Sequence, residues 1–255
     1  MTNIIEARSM SKKVELGKGN ELHILNNINL EVEEGEFVSV MGPSGSGKST
    51  LLYNISGMDR ITSGSVKFKG YEIGSLKEEE LAKIRLKRMG FIFQDIYLLK
   101  NLSLIDNIMF PALISTEADK KVVNNKAKKL MKMTGIEKLA NYNITQGSGG
   151  QLQRVGICRA LINDPDIIFG DEPTGALDSK STEEIMSILA KINKYGTTVM
   201  LVTHDVKVAA KTERILFMVD GNILSQKKMR KYDAQRDDMK EREESIMKWL
   251  VENGL

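Results

Sequence analysis

Two kinds of hydrophobic pattern alternate along the chain. Short runs of apolar and β-branched residues, as long as strands, are followed by segments in which apolar residues recur at helical spacing. The predicted strands are Phe37 to Met41, Val66 to Lys69, Gly90 to Phe93, Asp166 to Phe169, Val199 to Thr203 and Ile215 to Val219. The first predicted helix begins at Lys48. The others cover Glu78 to Lys87, Asp119 to Thr134, Gly150 to Ile162, Ser181 to Lys194 and Val206 to Lys211. This alternation is typical of an α/β fold with a mainly parallel sheet covered by helices.

The middle of the chain lacks the strand pattern. Residues 95–163 contain helix signals and almost no strand signals, which predicts a helical insertion. The insertion divides the α/β unit into residues 1–94 and 164–225, and a charge-dense tail covers residues 226–255. In the tail, Met239, Ile246, Trp249 and Leu250 share one helical face. This face favours a helix that packs on the protein or on a second copy over one that lies on a membrane surface.

A glycine-rich segment follows the first predicted strand. It reads GPSGSGKST and fits the motif G-x-x-x-x-G-K-[ST]. Its residues are Gly42, Pro43, Ser44, Gly45, Ser46, Gly47, Lys48, Ser49 and Thr50. The glycines of this motif let backbone N–H groups point at anionic oxygens. We therefore predict that Lys48 neutralises the β and γ phosphates of a triphosphate and that Ser49 ligates Mg²⁺. The alternative is a glycine-rich turn with an exposed lysine, which the flanking strand and helix disfavour.

Two adjacent carboxylates, Asp171 and Glu172, end the apolar run DIIFGDE. Neighbouring carboxylates repel each other unless a cation screens them. We therefore predict that Asp171 faces the magnesium ion and that Glu172 faces the attacking water. Acidic residues also suit the start of a helix. Together with the upstream phosphate loop, however, the pair indicates nucleotide hydrolysis.

Composition narrows the class of protein without identifying a partner. The 255 residues carry 37 Lys and Arg against 34 Asp and Glu, a net charge of +3, and 41% of them are hydrophobic. These values are typical of a folded soluble chain, and the charge gives no argument for nucleic-acid binding. The single cysteine, Cys158, excludes an intrachain disulfide, and we expect it to be buried in a helix. No signal peptide or membrane-spanning stretch is visible, so we expect a cytoplasmic location unless a partner holds the chain at a membrane.

Further motifs follow the phosphate loop in a characteristic order. QGSGGQLQR at Gln146 to Arg154 is followed by VGICRAL, PTGALDS and LVTHD. With these motifs the chain resembles the ABC ATPase family from Ile4 to Leu224. The resemblance implies a P-loop NTPase cassette of the ABC type, with a mainly parallel core sheet, antiparallel N-terminal strands and a helical subdomain. It also implies a head-to-tail dimer around two ATP molecules. In this dimer Ser148, Gly149, Gly150 and Gln151 act on the nucleotide of the other copy.

The resemblance assigns roles to three more residues. Gln94 matches the glutamine that reaches the metal and the attacking water, and that couples the core to the helical subdomain. Asp178 matches an aspartate that works across the dimer interface. His204 matches the histidine that contacts the γ phosphate and positions the carboxylate beside the water, here Glu172. Taken alone, His204 would more often be a satisfied histidine near a core strand. His23 has no such context, and we expect a structural role.

The chain departs from the family pattern at two places. Gly147 replaces the leucine that usually precedes SGGQ, which removes an apolar anchor beside the trans site. The segment Lys12 to Gly17 lacks the aromatic residue on which the family stacks adenine, and Val14 is the nearest candidate. Because a stacking platform is missing, we expect weaker base discrimination and measurable use of GTP.

Within the family, Gly90 to Leu113 looks like the ATPases of lipoprotein-release and macrolide exporters, and among them those of bacitracin-type antimicrobial-peptide transporters. The resemblance implies a peripheral subunit on the inner face of the cell membrane, held there by a permease. Candidate docking residues are Ile96, Tyr97, Leu98 and Leu99, unless they cover the helical core.

One alternative is a regulatory ATPase that drives a cell-wall enzyme through a membrane partner. ABC ATPases of DNA repair are disfavoured, because the gap between Gly42 and Ser148 is 148 − 42 = 106 residues and holds no heptads. Ribosome-acting members are disfavoured because they carry two cassettes in one chain, whereas this chain has one.

Overall fold

The computed structural model describes residues 2–17, 20–115 and 119–254. The strands are β1 (Asn3–Glu15), β2 (Glu21–Glu33), β3 (Phe37–Met41), β4 (Ser63–Phe68), β5 (Tyr71–Glu72), β6 (Met89–Phe93), β7 (Ile167–Asp171), β8 (Thr198–Val202), β9 (Arg214–Val219) and β10 (Asn222–Lys228). The helices are α1 (Lys48–Ile55), α2 (Glu78–Arg88), α3 (Leu104–Ser115), α4 (Lys120–Met133), α5 (Gly149–Leu161), α6 (Ser179–Lys194), α7 (Val206–Ala209) and α8 (Met239–Glu252). Every predicted strand and helix has a counterpart among these elements.

Two sheets share one hydrophobic core. The central sheet has the order β10-β9-β3-β8-β7-β6 and is parallel from β9 to β6, with β10 antiparallel at its edge. All five residues of β3 and of β8 are buried, because strands of a parallel sheet are covered on both faces. The second sheet, β2-β1-β4-β5, is antiparallel. The predicted fold class, including the antiparallel N-terminal strands, is confirmed.

Helices α3, α4 and α5 surround a hydrophobic cluster of their own. Leu104, Ile108, Met131 and Val155 are buried in this cluster. Cys158 is buried there too, 3.2 Å from the hydroxyl of Thr134, and burial raises the pKa of its thiol to about 12. The thiol is therefore inert packing rather than a nucleophile. The subdomain boundaries at residues 95 and 163 stay predictions.

The tail forms the predicted helix, α8. Ile246 and Leu250 are buried against Ala209, Ala210 and Phe217, and the Trp249 ring lies edge-on to that of Phe217 at 6.0 Å between centroids. The predicted apolar face therefore packs on the chain's own core. Among the helices of the described ranges, none is both long and apolar enough to cross a bilayer.

Candidate nucleotide-binding and hydrolysis site

The phosphate loop connects β3 to α1 at the carboxyl edge of the central sheet. Two of its glycines are required by close backbone approaches. At Gly42 (φ 150°) a Cβ would lie 1.9 Å from the carbonyl oxygen of Met218, and at Gly47 (φ 94°) it would lie 2.9 Å from that of Ile24. Only residues without a side chain fit these positions. The loop is therefore held between β9 and β2 before any ligand arrives.

Lys48 turns back across this loop. Its Nζ donates to the carbonyl oxygens of Gly42 (3.0 Å) and Pro43 (2.8 Å). Burial lowers the pKa of Lys48, while the charges of Glu172 and Asp171 act in the opposite direction. Within the loop, the buried hydroxyl of Ser46 has no hydrogen-bond partner in the described part of the chain. A buried ammonium and an unpartnered hydroxyl in one loop suit an anionic ligand.

Asp171 and Ser49, which lie far apart in sequence, meet beside the loop. The Ser49 hydroxyl donates to Asp171 Oδ1 at 2.8 Å, and the Tyr53 hydroxyl donates to Oδ2 at 2.5 Å. Burial, followed by this hydrogen bond and the charge of Asp171, raises the pKa of Tyr53. No group of three His, Cys, Asp or Glu side chains suited to a metal occurs in the described ranges. One hydroxyl and one carboxylate nevertheless fit Mg²⁺, which takes few protein ligands and completes its shell with phosphate oxygens and water.

Tyr53 is a further candidate site residue, which the sequence motifs do not indicate. It lies on α1, one helical turn after Ser49, and so projects from the same side of the helix. That spacing is the only signal in the sequence. The contact itself joins residues 118 positions apart, and it depends on how α1 packs beside β7.

Glu172 and His204 follow two adjacent strands, β7 and β8. His204 Nδ1 lies 3.3 Å from Glu172 Oε2. Glu172 has φ 46°, a conformation that costs energy for a residue with a side chain, and its N–H donates to the Val202 carbonyl at 3.1 Å. Glu172 and Gln94 are close together, because a Cβ on Gly175 would lie 3.2 Å from Glu172 Oε2 and 3.4 Å from the Gln94 amide carbon. The strand ends thus gather a carboxylate, an imidazole and an amide.

The segment Ser148 to Gln151 opens α5 with reciprocal capping contacts. The Ser148 N–H donates to Gln151 Oε1 at 2.9 Å, and Ser148 Oγ accepts from the Gln151 N–H at 3.4 Å. In the described ranges, no hydrogen bond or ion pair joins this segment to the phosphate loop. Its neighbour is the start of α6, because a Cβ on Gly150 would lie 2.9 Å from Ser181 Oγ.

Asp178 caps α6 beside this segment. Its carboxylate accepts from the backbone N–H of Ser181 at 2.8 Å and from the Ser181 hydroxyl at 2.9 Å. These hydrogen bonds lower the pKa of Asp178. The fold therefore forms two clusters of candidate residues. One surrounds the phosphate loop. In the other, Ser181 contacts both Asp178 and the segment Ser148 to Gln151.

Gly147 has extended backbone angles, φ −95° and ψ 144°, which other residues also adopt. A Cβ there would lie 2.6 Å from Leu152 Cδ2. Leu152 also packs against the cluster of α3, α4 and α5. The space of the missing leucine is therefore filled by Leu152, one turn into α5.

We predict that Gly147→Leu alone lowers ATPase activity about fivefold, since the added side chain overpacks this corner. In the double variant Gly147→Leu, Leu152→Gln, the activity returns to within about twofold of the original chain. Steady-state ATPase assays and unfolding midpoints of both variants check this. If the double variant is no more active than Gly147→Leu alone, Leu152 does not fill the space that a leucine at position 147 would occupy.

Val14 lies on β1 opposite Leu22 of β2, and both side chains are exposed. Neither strand contains Phe, Tyr or Trp. Stacking on an aromatic ring is worth about 1–3 kcal/mol per base, and the exposed aliphatic side chains of Val14 and Leu22 offer no such ring to adenine. We therefore predict that a tenfold excess of GTP competes measurably with ATP in a hydrolysis assay. Val14→Tyr should raise the affinity for ATP about tenfold. Absence of GTP competition at that excess would show the expectation to be wrong.

His23 is half exposed at the strand pair β1–β2, with Nε2 4.0 Å from Glu21 Oε2. It is not a buried packing residue. The expected structural role is therefore limited to this exposed contact, and no hydrogen bond or ion pair joins His23 to the phosphate loop among the described residues.

Known proteins resemble the chain in both sequence and structure. The ABC transporter family model matches residues 25–175. A solved structure of the ATP-binding cassette MJ0796, in a dimeric post-hydrolysis state bound to ADP and Pi, is similar to this chain with a TM-score of 0.83 and 40% identity. The match covers 89% of this chain and 100% of that one. MJ0796 comes from Methanocaldococcus jannaschii.

Two exporter proteins are also similar. The bacitracin export ATP-binding protein BceA of Halalkalibacterium halodurans is 43% identical over 224 residues, 88% of each chain. The macrolide export ATP-binding/permease protein MacB of Pasteurella multocida is 41% identical over 223 residues, 87% of this chain and 34% of its own. The family model covers more than half of the chain, and its match includes the phosphate loop, Gln94, Ser148 to Gln151 and Glu172. The resemblance predicted from the motifs is confirmed: the chain is an ATPase that belongs to the ABC transporter family.

Proposed function

We propose that the chain hydrolyses magnesium ATP within a head-to-tail homodimer and uses the closure of that dimer to drive a membrane permease. The observation that carries the proposal is the meeting of Ser49 with Asp171 at 2.8 Å and of His204 with Glu172 at 3.3 Å beside one phosphate loop. A protein that only binds a nucleotide would need the phosphate loop and the metal ligands Ser49 and Asp171. The pair formed by His204 and Glu172 is needed in addition for hydrolysis.

The loop binds and neutralises the phosphates. The Ser46 hydroxyl and the backbone N–H groups of the loop, which Pro43 alone lacks, donate hydrogen bonds to the phosphate oxygens. Lys48 exchanges its hydrogen bonds to the loop carbonyls for charge-assisted hydrogen bonds to the β and γ phosphates, which are stronger. Ser49 and Asp171 would hold Mg²⁺, with Gln94 beside them. When bound, the ion neutralises charge that develops on the phosphate oxygens.

The carboxylate and the imidazole act on the water. Glu172 orients the attacking water and accepts its proton, and its unusual backbone conformation fixes the carboxylate relative to β7. His204 holds Glu172 through Nδ1 and leaves Nε2 free for the γ phosphate. Catalysis then consists of positioning and charge stabilisation, as expected for phosphoryl transfer.

The second cluster completes the site of the other copy. Ser148, Gly149, Gly150 and Gln151 open a helix whose first N–H groups suit a γ phosphate. Asp178 lies beside them through Ser181. Because no hydrogen bond or ion pair joins these residues to their own phosphate loop in the described ranges, a second chain is the natural source of the triphosphate that they bind.

An apolar groove supports permease docking. It has a volume of about 410 Å³, and residues of α2, β6 and α5 line it together with Tyr97 and Pro111. Tyr97 is 69% exposed, although Arg159 donates to its carbonyl at 2.8 Å and its ring centroid lies 5.6 Å from that of Phe93. A large apolar ring that is held exposed suits a partner helix.

The four candidate docking residues divide between the two interpretations. Tyr97 and Leu99 are exposed. Leu98 packs against the cluster of α3, α4 and α5, and Ile96 approaches Gly156 on α5. We therefore propose Tyr97 and Leu99 as docking residues and assign Ile96 and Leu98 to the helical core.

The relatives named as exporters support a finer proposal. Because BceA, which is named for bacitracin export, matches over 88% of both chains, we propose an antimicrobial-peptide resistance transporter as the context. The chain would then be a peripheral membrane protein on the inner face of the cell membrane, held there by its permease.

Cell fractionation tests the proposed attachment to a permease through Tyr97. The chain, co-expressed with its permease, should sediment with membranes. Tyr97→Ala should reduce the membrane-bound share about tenfold, because a single apolar anchor of an interface is worth roughly 1–2 kcal/mol. Tyr195→Ala is the matched control, since Tyr195 is 77% exposed at the end of α6, away from the groove. Equal effects of the two substitutions, or a wild-type chain that stays soluble beside its permease, would contradict the docking surface.

A further inference from the structure

Helix α8 packs behind both segments that carry the hydrolysis site. Its buried residues Ile246 and Leu250 share a cluster with Met41, Ala209 and Ala210. Met41 is the last residue before the phosphate loop, and Ala209 ends α7, which begins two residues after His204. The tail is therefore in contact with the support of the reacting residues, although it lies outside the site itself.

Arg242 of α8 is 4% exposed, although it carries a charge. Its guanidinium donates to three backbone carbonyls: to Ala210 from Nε at 2.5 Å, to Thr212 from Nη2 at 2.8 Å and to Arg230 from Nη1 at 2.9 Å. A buried cation is tolerated only when its donors are satisfied, and here the planar fork satisfies the carbonyls that follow α7. One side chain thus ties the segment after α7 to the tail.

A second cation strengthens this connection. Lys211 is 2% exposed and forms an ion pair with Glu183 of α6. The Tyr232 ring lies 5.5 Å from Lys211 Nζ and 6.0 Å from Arg242 Cζ, so one ring contacts both cations. Lys211 and Glu183 also line a cavity of about 390 Å³ whose wall includes Glu172 and His204.

His204 depends on its backbone for its position. Its side chain is 67% exposed, and Glu172 is its one polar partner in the described part of the chain. On its N-terminal side, the Thr203 N–H donates to Val40 of the central sheet at 3.1 Å. On its C-terminal side stands α7, whose four residues are too few to form a stable helix alone. The stability of α7 must come from what packs on it.

We infer that Arg242 is a positioning residue for ATP hydrolysis: it fixes residues 210–212, and thereby holds α7 and His204 against Glu172. This inference rests on the proposed roles of His204 and Glu172. It gives the tail a part in the reaction rather than in stability alone.

Three variants test the role of Arg242. Arg242→Ala should lower kcat about tenfold and leave the KM for ATP within about twofold, because the guanidinium contacts no phosphate-loop residue. Arg242→Lys should recover part of the loss, since an ammonium donates hydrogen bonds without the fork. Lys248→Ala is the matched control: it removes the same charge from the exposed face of α8 and should leave kcat unchanged.

A double variant separates positioning from general destabilisation. In the His204→Ala background, Arg242→Ala should lower kcat by less than about twofold, because the residue through which it acts is gone. An equal loss in both backgrounds, a wild-type kcat in Arg242→Ala or a raised KM would overturn the inference. If His204→Ala itself turns over at the wild-type rate, the proposed role of His204 fails together with the inference. A normal Arg242→Ala beside an impaired His204→Ala refutes the inference alone.

A milder variant covers the case in which Arg242→Ala does not fold. Tyr232→Leu removes the ring between the two cations and keeps the three carbonyl hydrogen bonds. It should lower kcat about two- to threefold, and by less in the His204→Ala background. Unfolding midpoints and binding of a fluorescent ATP analogue show that each variant is folded at the assay temperature. The same loss of kcat for Tyr232→Leu in both backgrounds would also overturn the inference.

Discussion

Glu172→Gln is expected to lower kcat by about a thousandfold while ATP binding persists. The amide keeps the shape of the side chain and its place beside His204, but it cannot accept a proton from the attacking water. A positioned general base contributes about 10²–10⁴-fold to such a reaction. Because the loss falls on the chemical step, bound ATP should accumulate and the dimer should stay closed.

Single-turnover hydrolysis and size-exclusion chromatography with ATP and magnesium measure both effects. Asp95→Asn is the matched control. It makes the same change from carboxylate to amide on a residue that lines the cavity of about 260 Å³ beside Asp171 and Glu172. It should leave kcat within about twofold, because it makes no contact with His204. Steady turnover by Glu172→Gln near the original rate would remove Glu172 from the mechanism.

Lys48→Ala is expected to weaken ATP binding about a hundredfold. The ammonium offers charge-assisted hydrogen bonds to two phosphates, and no other cation lies in the described phosphate loop to replace it. The fold should persist, since Gly42 is half-buried and Pro43 is exposed, so the two carbonyls that lose their partner accept from water instead. Calorimetric titration with ATP measures the affinity, and the unfolding midpoint checks the fold. An affinity within about threefold of the original would contradict the assigned role.

Much of the fold can be predicted from the sequence, because strands of a parallel sheet that are buried on both faces are continuous apolar runs. Strands β3 and β8 are continuous apolar runs, and each was predicted to within a residue or so. Helix α3 was not predicted as a helix, since Pro111 lies in its interior. A proline removes one backbone hydrogen bond. Here the burial of Leu104, Ile108 and Ala112 in the cluster of α3, α4 and α5 outweighs that loss.

Some residues of the candidate site can also be predicted from sequence motifs, whereas others are recognised only from the fold. Motif residues such as Lys48, Asp171 and Glu172 can be proposed from the sequence, because phosphate and metal chemistry dictates their spacing. The sequence motifs do not indicate Tyr53 and Arg242, since the contacts of each join residues distant in the chain. For Arg242 the usual rule is misleading as well. A charged residue in a charge-dense tail is expected in solvent, and its burial depends on three carbonyls that only the fold brings together.

The central claim is that each hydrolysis site combines the phosphate loop of one chain with Ser148 to Gln151 of another. Mixing two inactive variants tests it directly: Lys48→Ala lacks a working loop, and Ser148→Arg lacks a working trans segment. Half of the dimers formed at equal concentrations contain one of each, and one of their two sites is intact. The account predicts that the mixture recovers up to about a quarter of the original ATPase activity. A mixture as inactive as its two components, although mixed dimers form, would contradict the composite site.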